Sequence, residues 1–371
     1  MISEYIFNVK GGMCSVKKGI VASVCFSLII CFFALSSAIS PDRAFSESEN
    51  RTLTTFPSVS LSSVLEGSTQ GELTTYFSHQ LIFRDFLVKS KVSVEKFLGK
   101  TDIGGVYLGK DGYYIEKKTE IDESIFQNNI NAISVFLNNN KNAYFLPVLT
   151  RGYYLEDKLP KGAKVYPQGE CFEKIQGKCS NTISLKEKLD GDDFYKTDHH
   201  WKYSGAFKAY EEYMKTLGKT PTDTKVETEI GSFLGTLYSK APTFLTDGET
   251  ISIPTVPKDA KYIADGKETP IIDKEYFNKK DKYSLFLSGN CAFGEITNLN
   301  GEGNLLIIKD SFANSFVPFL LEDFGSVSMI DTRYFSGSVS DVIKEKDITN
   351  ILILCSMDSL TEEKSIGIIN Y

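Results

Sequence analysis

Gly303-Asn304-Leu305-Leu306-Ile307-Ile308-Lys309 runs directly into Asp310-Ser311-Phe312-Ala313-Asn314-Ser315-Phe316, and the reading of this stretch decides the fold. The first half is a short, continuous apolar run, the pattern of a strand buried on both faces. Phe312, Phe316, Phe319, Leu320 and Phe324 then recur at helical spacing, with Gly325 after them. Ser311 therefore falls at a strand-to-helix turn. That is where an α/β enzyme presents a nucleophile, since the strand end fixes the hydroxyl and the helix start offers N–H groups to an oxyanion. The plainer reading is that Asp310 or Ser311 caps the helix, and Pro318 predicts a short or kinked one.

Outward from this stretch, residues 121–138 read as a helix and residues 143–149 as a buried strand. A strand following a helix of this length suggests parallel, doubly wound construction. Residues 326–330 and 349–354 are two more strand candidates, and residues 106–115 read as a hairpin turning at Lys110-Asp111-Gly112. Residues 72–98 read as helical and contain His79, a lone histidine for which a packed or capping role is expected.

The chemistry concentrates in Tyr195-Lys196-Thr197-Asp198-His199-His200-Trp201, which holds two of the three histidines and the only tryptophan. An imidazole with a carboxylate two residues before it is a candidate general base with its orienting partner. The plainer reading is a polar turn before a helix in which Ser204 is the cap, Ala206, Tyr210, Tyr213 and Leu217 share a face, and Gly218 ends the run.

Thr197-Asp198-His199-His200-Trp201 resembles the signature of the DHHW family, itself similar to the alginate O-acetylation proteins of the SGNH-type hydrolase and acyltransferase group. Glu49-Asn50-Arg51 followed by Phe56-Pro57 resembles the start of the family's mature region. The resemblance implies an SGNH hydrolase-like (flavodoxin-like) sheet, with Asp198 and His200 in the Asp and His roles of a triad and His199 in the variable position. Lys309-Asp310-Ser311-Phe312 is similar to the family's nucleophile segment, which implies Ser311 as nucleophile. Leu287-Ser288-Gly289-Asn290 is similar to the Gly-Asn element of the group and makes Asn290 an oxyanion candidate, with a turn residue as the alternative. Gly235 lies in another family-like segment and is expected to line the cleft, and Trp201 and His199 join it on the substrate side. Cys291 stands where relatives are expected to carry histidine. Arg333 and Tyr334 follow a strand and are candidates for contacting a glycan or acyl oxygen, a surface ion pair being the commoner use of such an arginine.

In 371 residues with 42% hydrophobic composition a sizeable core can be buried, and a formal charge of −7 argues against a nucleic-acid partner, which needs a clustered basic face. After Lys17-Lys18, residues 19–38 form an uncharged apolar segment that enters a membrane, as signal anchor or signal peptide. The expected organisation is a cytoplasmic stretch 1–18, the membrane segment 19–38, a linker and helical segment 39–100, and a catalytic domain 101–371 outside the cytoplasm. In that compartment Cys171 and Cys179, flanking a polar loop, are candidates for a small disulfide, with free thiols as the alternative. No cofactor and no metal is expected, since adjacent histidines of an extended segment point to opposite sides.

The leading functional expectation is O-acyl transfer to a cell-surface or secreted polysaccharide, by an anchored extracytoplasmic enzyme or by a secreted one if the segment is cut. Acetyl-CoA is cytoplasmic, so the resemblance also implies a membrane-bound O-acyltransferase as acyl donor. The alternatives are an esterase with the same triad, and a non-catalytic glycan-binding or assembly protein.

Overall fold

The computed structural model describes residues 2–46 and 48–371, with the side chains of residues 2–18 and of Ala38 left out. Glu47 of the linker lies outside the described residues, as do the side chains of Cys14, Lys17 and Lys18. The chain divides into two compact units, Met1–Lys91 and Val92–Tyr371.

The first unit begins with the helix Ile2–Ile39. Its stretch Gly19–Ser37 is long and apolar enough to cross a membrane. The expected linker contains a minimal antiparallel pair, Phe45–Ser46 with Arg51–Thr52. The single helix expected over 72–98 is two, Ser68–Gln80 and Arg84–Phe97. The break falls where Phe83 takes a left-handed φ of 58°, which a continuing helix does not allow. His79 is packed as expected, its Nδ1 accepting the Thr54 N–H at 3.0 Å.

The second unit is built on a seven-stranded sheet. Its order is Lys267–Glu268, Lys261–Ala264, Phe293–Thr297, Ser326–Asp331, Asn304–Lys309, Asn350–Ser356 and Ala143–Val148. The last four strands are mutually parallel, as expected. The first three are joined antiparallel, so only one half of the sheet has doubly wound character. The two central parallel strands, Asn304–Lys309 and Asn350–Ser356, are apolar on both faces because both are covered. Leu305, Ile307, Leu352 and Leu354 pack with Ala206, Tyr210, Tyr213 and Phe316 on one side. Leu306, Ile308, Ile351 and Ile353 pack with Phe126, Ile130, Ile133 and Phe172 on the other. The hairpin is present, pairing Val106–Leu108 with Tyr114–Glu116.

One expectation holds and two change. The helix after Ser311 is a single turn, Ala313–Phe316, running into the 3-10 turn Val317–Leu320 at Pro318. A helix this short has little macrodipole to offer an anion. Ser204 is not a cap, because the helix Tyr203–Thr216 starts one residue earlier, with Lys202 at the N-cap. Cys171 and Cys179 are free and buried. The supposed polar loop is the helix Gln168–Lys178, along which eight residues rise about 12 Å, beyond the roughly 7 Å that a disulfide spans. Thiol titration of the unreduced, denatured protein is therefore expected to count both cysteines as free, and a mapped bridge between them would contradict the helix.

Candidate active site

The C-terminal ends of the parallel strands converge, the usual place for a site in an open α/β sheet. The strand Asn304–Lys309 delivers Asp310 and Ser311. Asp310 holds the turn with both oxygens: Oδ1 accepts the Phe312 N–H at 2.9 Å, and Oδ2 accepts the Ser356 N–H and the Ser359 hydroxyl at 2.7 Å each. It is a tie between neighbouring strand ends. The Ser311 N–H itself has no partner among the described residues.

The Asp-His-His segment is a tight loop closed by a bridge between Phe194 and Trp201. Glu249 gathers its donors, accepting from the N–H groups of Lys196 (2.8 Å) and Thr197 (3.1 Å). Arg151 gathers its acceptors, donating to the carbonyls of Asp198 and, at 2.8 Å, Lys196. Burial lowers this guanidinium to about 10, still charged at neutral pH. Trp201 is fully buried, and its indole N–H donates to Phe312 O and Ser315 Oγ, both at 3.0 Å. The tryptophan thus pins the loop to the turn that carries Ser311.

Asp198 and His200 are both buried. Asp198 Oδ1 lies 2.6 Å from His200 Nδ1, and Oδ2 accepts from Thr236 N–H (2.8 Å) and Thr236 Oγ1 (3.1 Å). A carboxylate only accepts, so the ring proton sits on Nδ1 and leaves Nε2 bare. Nε2 is 2.8 Å from Ser311 Oγ, which donates to it. Burial pulls His200 down to about 4, His199 adds to the fall, and Asp198 opposes both. Burial alone would raise Asp198, but the neighbouring imidazoles and hydrogen bonds prevail and hold it far below the ordinary carboxylate range.

Gly235 abuts this carboxylate: a Cβ there would stand 2.6 Å from Asp198 Cα and overlap the side chain. It is a packing glycine. The rings of His199 and His200 lie 3.8 Å apart, correcting the expectation that they point to opposite sides. His199 Nδ1 meets Thr236 Oγ1 at 2.8 Å, so Thr236 links His199 to Asp198.

Asn290 is exposed next to Gly289, whose φ is 93°. Its orientation follows from a donor chain. The buried Lys309 ammonium, which can only donate, meets Asn314 Oδ1 at 2.7 Å. The Asn314 NH₂ must then face Gly289 O (3.3 Å) and Asn290 Oδ1 (3.1 Å), which leaves the Asn290 NH₂ without a partner among the described residues. Arg333 is engaged by Asp331, at 2.8 and 2.6 Å, an ion pair as the plainer reading held. Tyr334 is 56% exposed beneath its guanidinium. Cys291 is buried against Tyr262 OH, 3.3 Å away, where a histidine was expected in relatives.

Sequence reasoning missed Arg151, Glu249 and Tyr283. Arg151 follows the end of the strand Ala143–Val148, so the strand-end rule that located Ser311 would have found it. Tyr283 stacks on His200 at 3.7 Å and 8°, and its hydroxyl donates to Ser311 O at 3.2 Å, a contact made only in the folded protein.

The DHHW protein family model matches residues 164–330, which bears out the resemblance drawn from residues 197–201. A DHHW family protein from Eubacterium siraeum is 24% identical in sequence, with 72% of this chain and 96% of that one covered at a TM-score of 0.57. Bacillus cereus PatB1 is 21% identical over 68% and 96% of the two chains, also at 0.57. PatB1 with a sulfonyl adduct is 22% identical over 70% and 97%, at 0.55. These likenesses establish a shared fold. No protein of curated function matches.

Proposed function

We propose that this chain is an SGNH-type O-acyltransferase that works outside the cytoplasm and moves acyl groups, acetyl first among them, onto hydroxyls of a polysaccharide. The observation that carries the reading is the unbroken chain of hydrogen bonds Asp198–His200–Ser311, at 2.6 and 2.8 Å. A serine hydroxyl is a weak nucleophile until a base takes its proton, and His200 Nε2 is bare and in reach. Ser311 Oγ attacks the donor carbonyl as its proton passes to His200, and Asp198 stabilises the imidazolium. The Ser311 N–H is the first donor open to the oxyanion, and the Asn290 NH₂ is the candidate for a second. The imidazolium protonates the leaving group, and the neutral imidazole so restored deprotonates the acceptor hydroxyl, which takes the acyl group as His200 returns that proton to Ser311 Oγ. The membrane-length helix Gly19–Ser37 favours a place at the membrane, where a membrane-bound acyltransferase supplies the acyl group.

A glycan acceptor, as against water, is tested with the full chain in detergent, an activated acetyl ester and a pool of xylo-, cello- and chito-oligosaccharides. Acetylated sugar supports transfer, and acetate alone supports the esterase reading. Neither product, above the uncatalysed rate, contradicts both.

The pH dependence follows from His200, which works as a base only when neutral. Its pKa is lowered to about 4, so kcat/KM is expected to hold steady from neutral pH through 6 and to fall only as pH approaches 4. An acid limb at the ordinary imidazole value of about 6.5 would contradict the buried environment.

A further inference from the structure

We propose that His199 is a positioning residue for His200, forming the second wall of a ring stack around the base and limiting how readily that base takes up a proton. The inference rests on the role proposed above for His200. Two rings lie within stacking distance of it: Tyr283 at 3.7 Å and 8°, and His199 at 3.8 Å and 37°. A flat ring has two faces, each with room for one partner at such a distance, so Tyr283 and His199 cover opposite faces. Asp198 and Ser311 fix the edge at Nδ1 and Nε2. The ring is held on both faces and at both nitrogens, and only His199 among its stacking partners can carry a charge of the same sign as an imidazolium.

The tautomer of His199 is set by its neighbour. The Thr236 hydroxyl has one hydrogen and donates it to Asp198 Oδ2 at 3.1 Å, so toward His199 it accepts. That places the His199 hydrogen on Nδ1 and leaves Nε2 bare, on a side chain 31% exposed. A proton taken there puts a positive charge against the face of His200. Like charges this close are strongly disfavoured, so a charge on His199 works against an imidazolium at His200. The other groups that face the pair are Asp198 on the same loop, Asp310 at the strand end, the neutral Tyr283 phenol, the Arg151 guanidinium behind Asp198, and Glu116 of the hairpin.

The test is a pair of variants of the full chain, His199→Phe, which keeps a stacking ring and removes the charge, and His199→Gln. With only three histidines in the sequence, ring NMR resonances of ¹³C-histidine protein can be assigned and titrated whether or not a variant is active. The His200 pKa is expected to rise by about one unit in either variant, and the acid limb of kcat/KM on an activated acetyl ester to move up with it, at a KM within about twofold. A role in packing alone would lower kcat and leave both pH readouts where they are in the native protein, and that result overturns the proposal. Failure of the parent reading looks different: Ser311→Ala would turn over ester at the native rate, whatever the His200 titration does.

Discussion

Ser311→Ala is expected to lower acyl turnover by at least about 10³-fold while the protein stays folded. The prediction follows from how little else the hydroxyl does: its one hydrogen-bond partner among the described residues is His200 Nε2. The tie from Tyr283 uses the Ser311 backbone carbonyl, and the turn is held by Asp310, so neither depends on the side chain. The melting temperature should therefore stay close to that of the native protein, and the loss should be in kcat. Turnover near the native level would remove the acyl-enzyme mechanism.

Gly235→Ala is expected to damage both fold and activity. Its φ of −77° is open to any residue, so the demand for glycine comes from contact with Asp198. A methyl group here has to displace a buried carboxylate bonded to His200 and Thr236, or shift the segment that begins the helix Thr236–Lys240. Overpacking of this kind costs about 3 kcal/mol, enough to lower the melting temperature by several degrees. Moving the orienting carboxylate by about 1 Å costs on the order of 10²-fold in kcat. A stable and fully active variant would mean that Asp198 and Gly235 do not pack as described.

Much of the nucleophile side was legible because the physics there is local. An apolar run buried on both faces reads as an interior strand, and the residue after its end reads as a site. The Asp-x-His spacing was legible for the same reason: a carboxylate two residues away can reach both the ring and the backbone N–H of His200. What escaped depends on distant chain segments. Glu249 and Arg151 hold the histidine loop from distant positions, and Tyr283 matters only through its ring stack and its hydroxyl contact with Ser311 O, both made in the folded protein. The antiparallel half of the sheet was missed because strands such as Lys261–Ala264 are short and carry exposed, charged residues. The helix Gln168–Lys178 reads as a loop in sequence because Gly169, Gly177 and its charges mask the period of Cys171, Phe172 and Ile175.

The central claim is that the hydroxyl of Ser311 is made nucleophilic by His200. Covalent trapping tests it most directly: the full chain is treated with a small sulfonyl fluoride, the intact mass is taken, and the modified peptide is sequenced. The account predicts one adduct, on Ser311, forming fast in the native protein and slowed by at least about 10²-fold in His200→Ala. An adduct on another residue, or equal labelling in the two proteins, would contradict it.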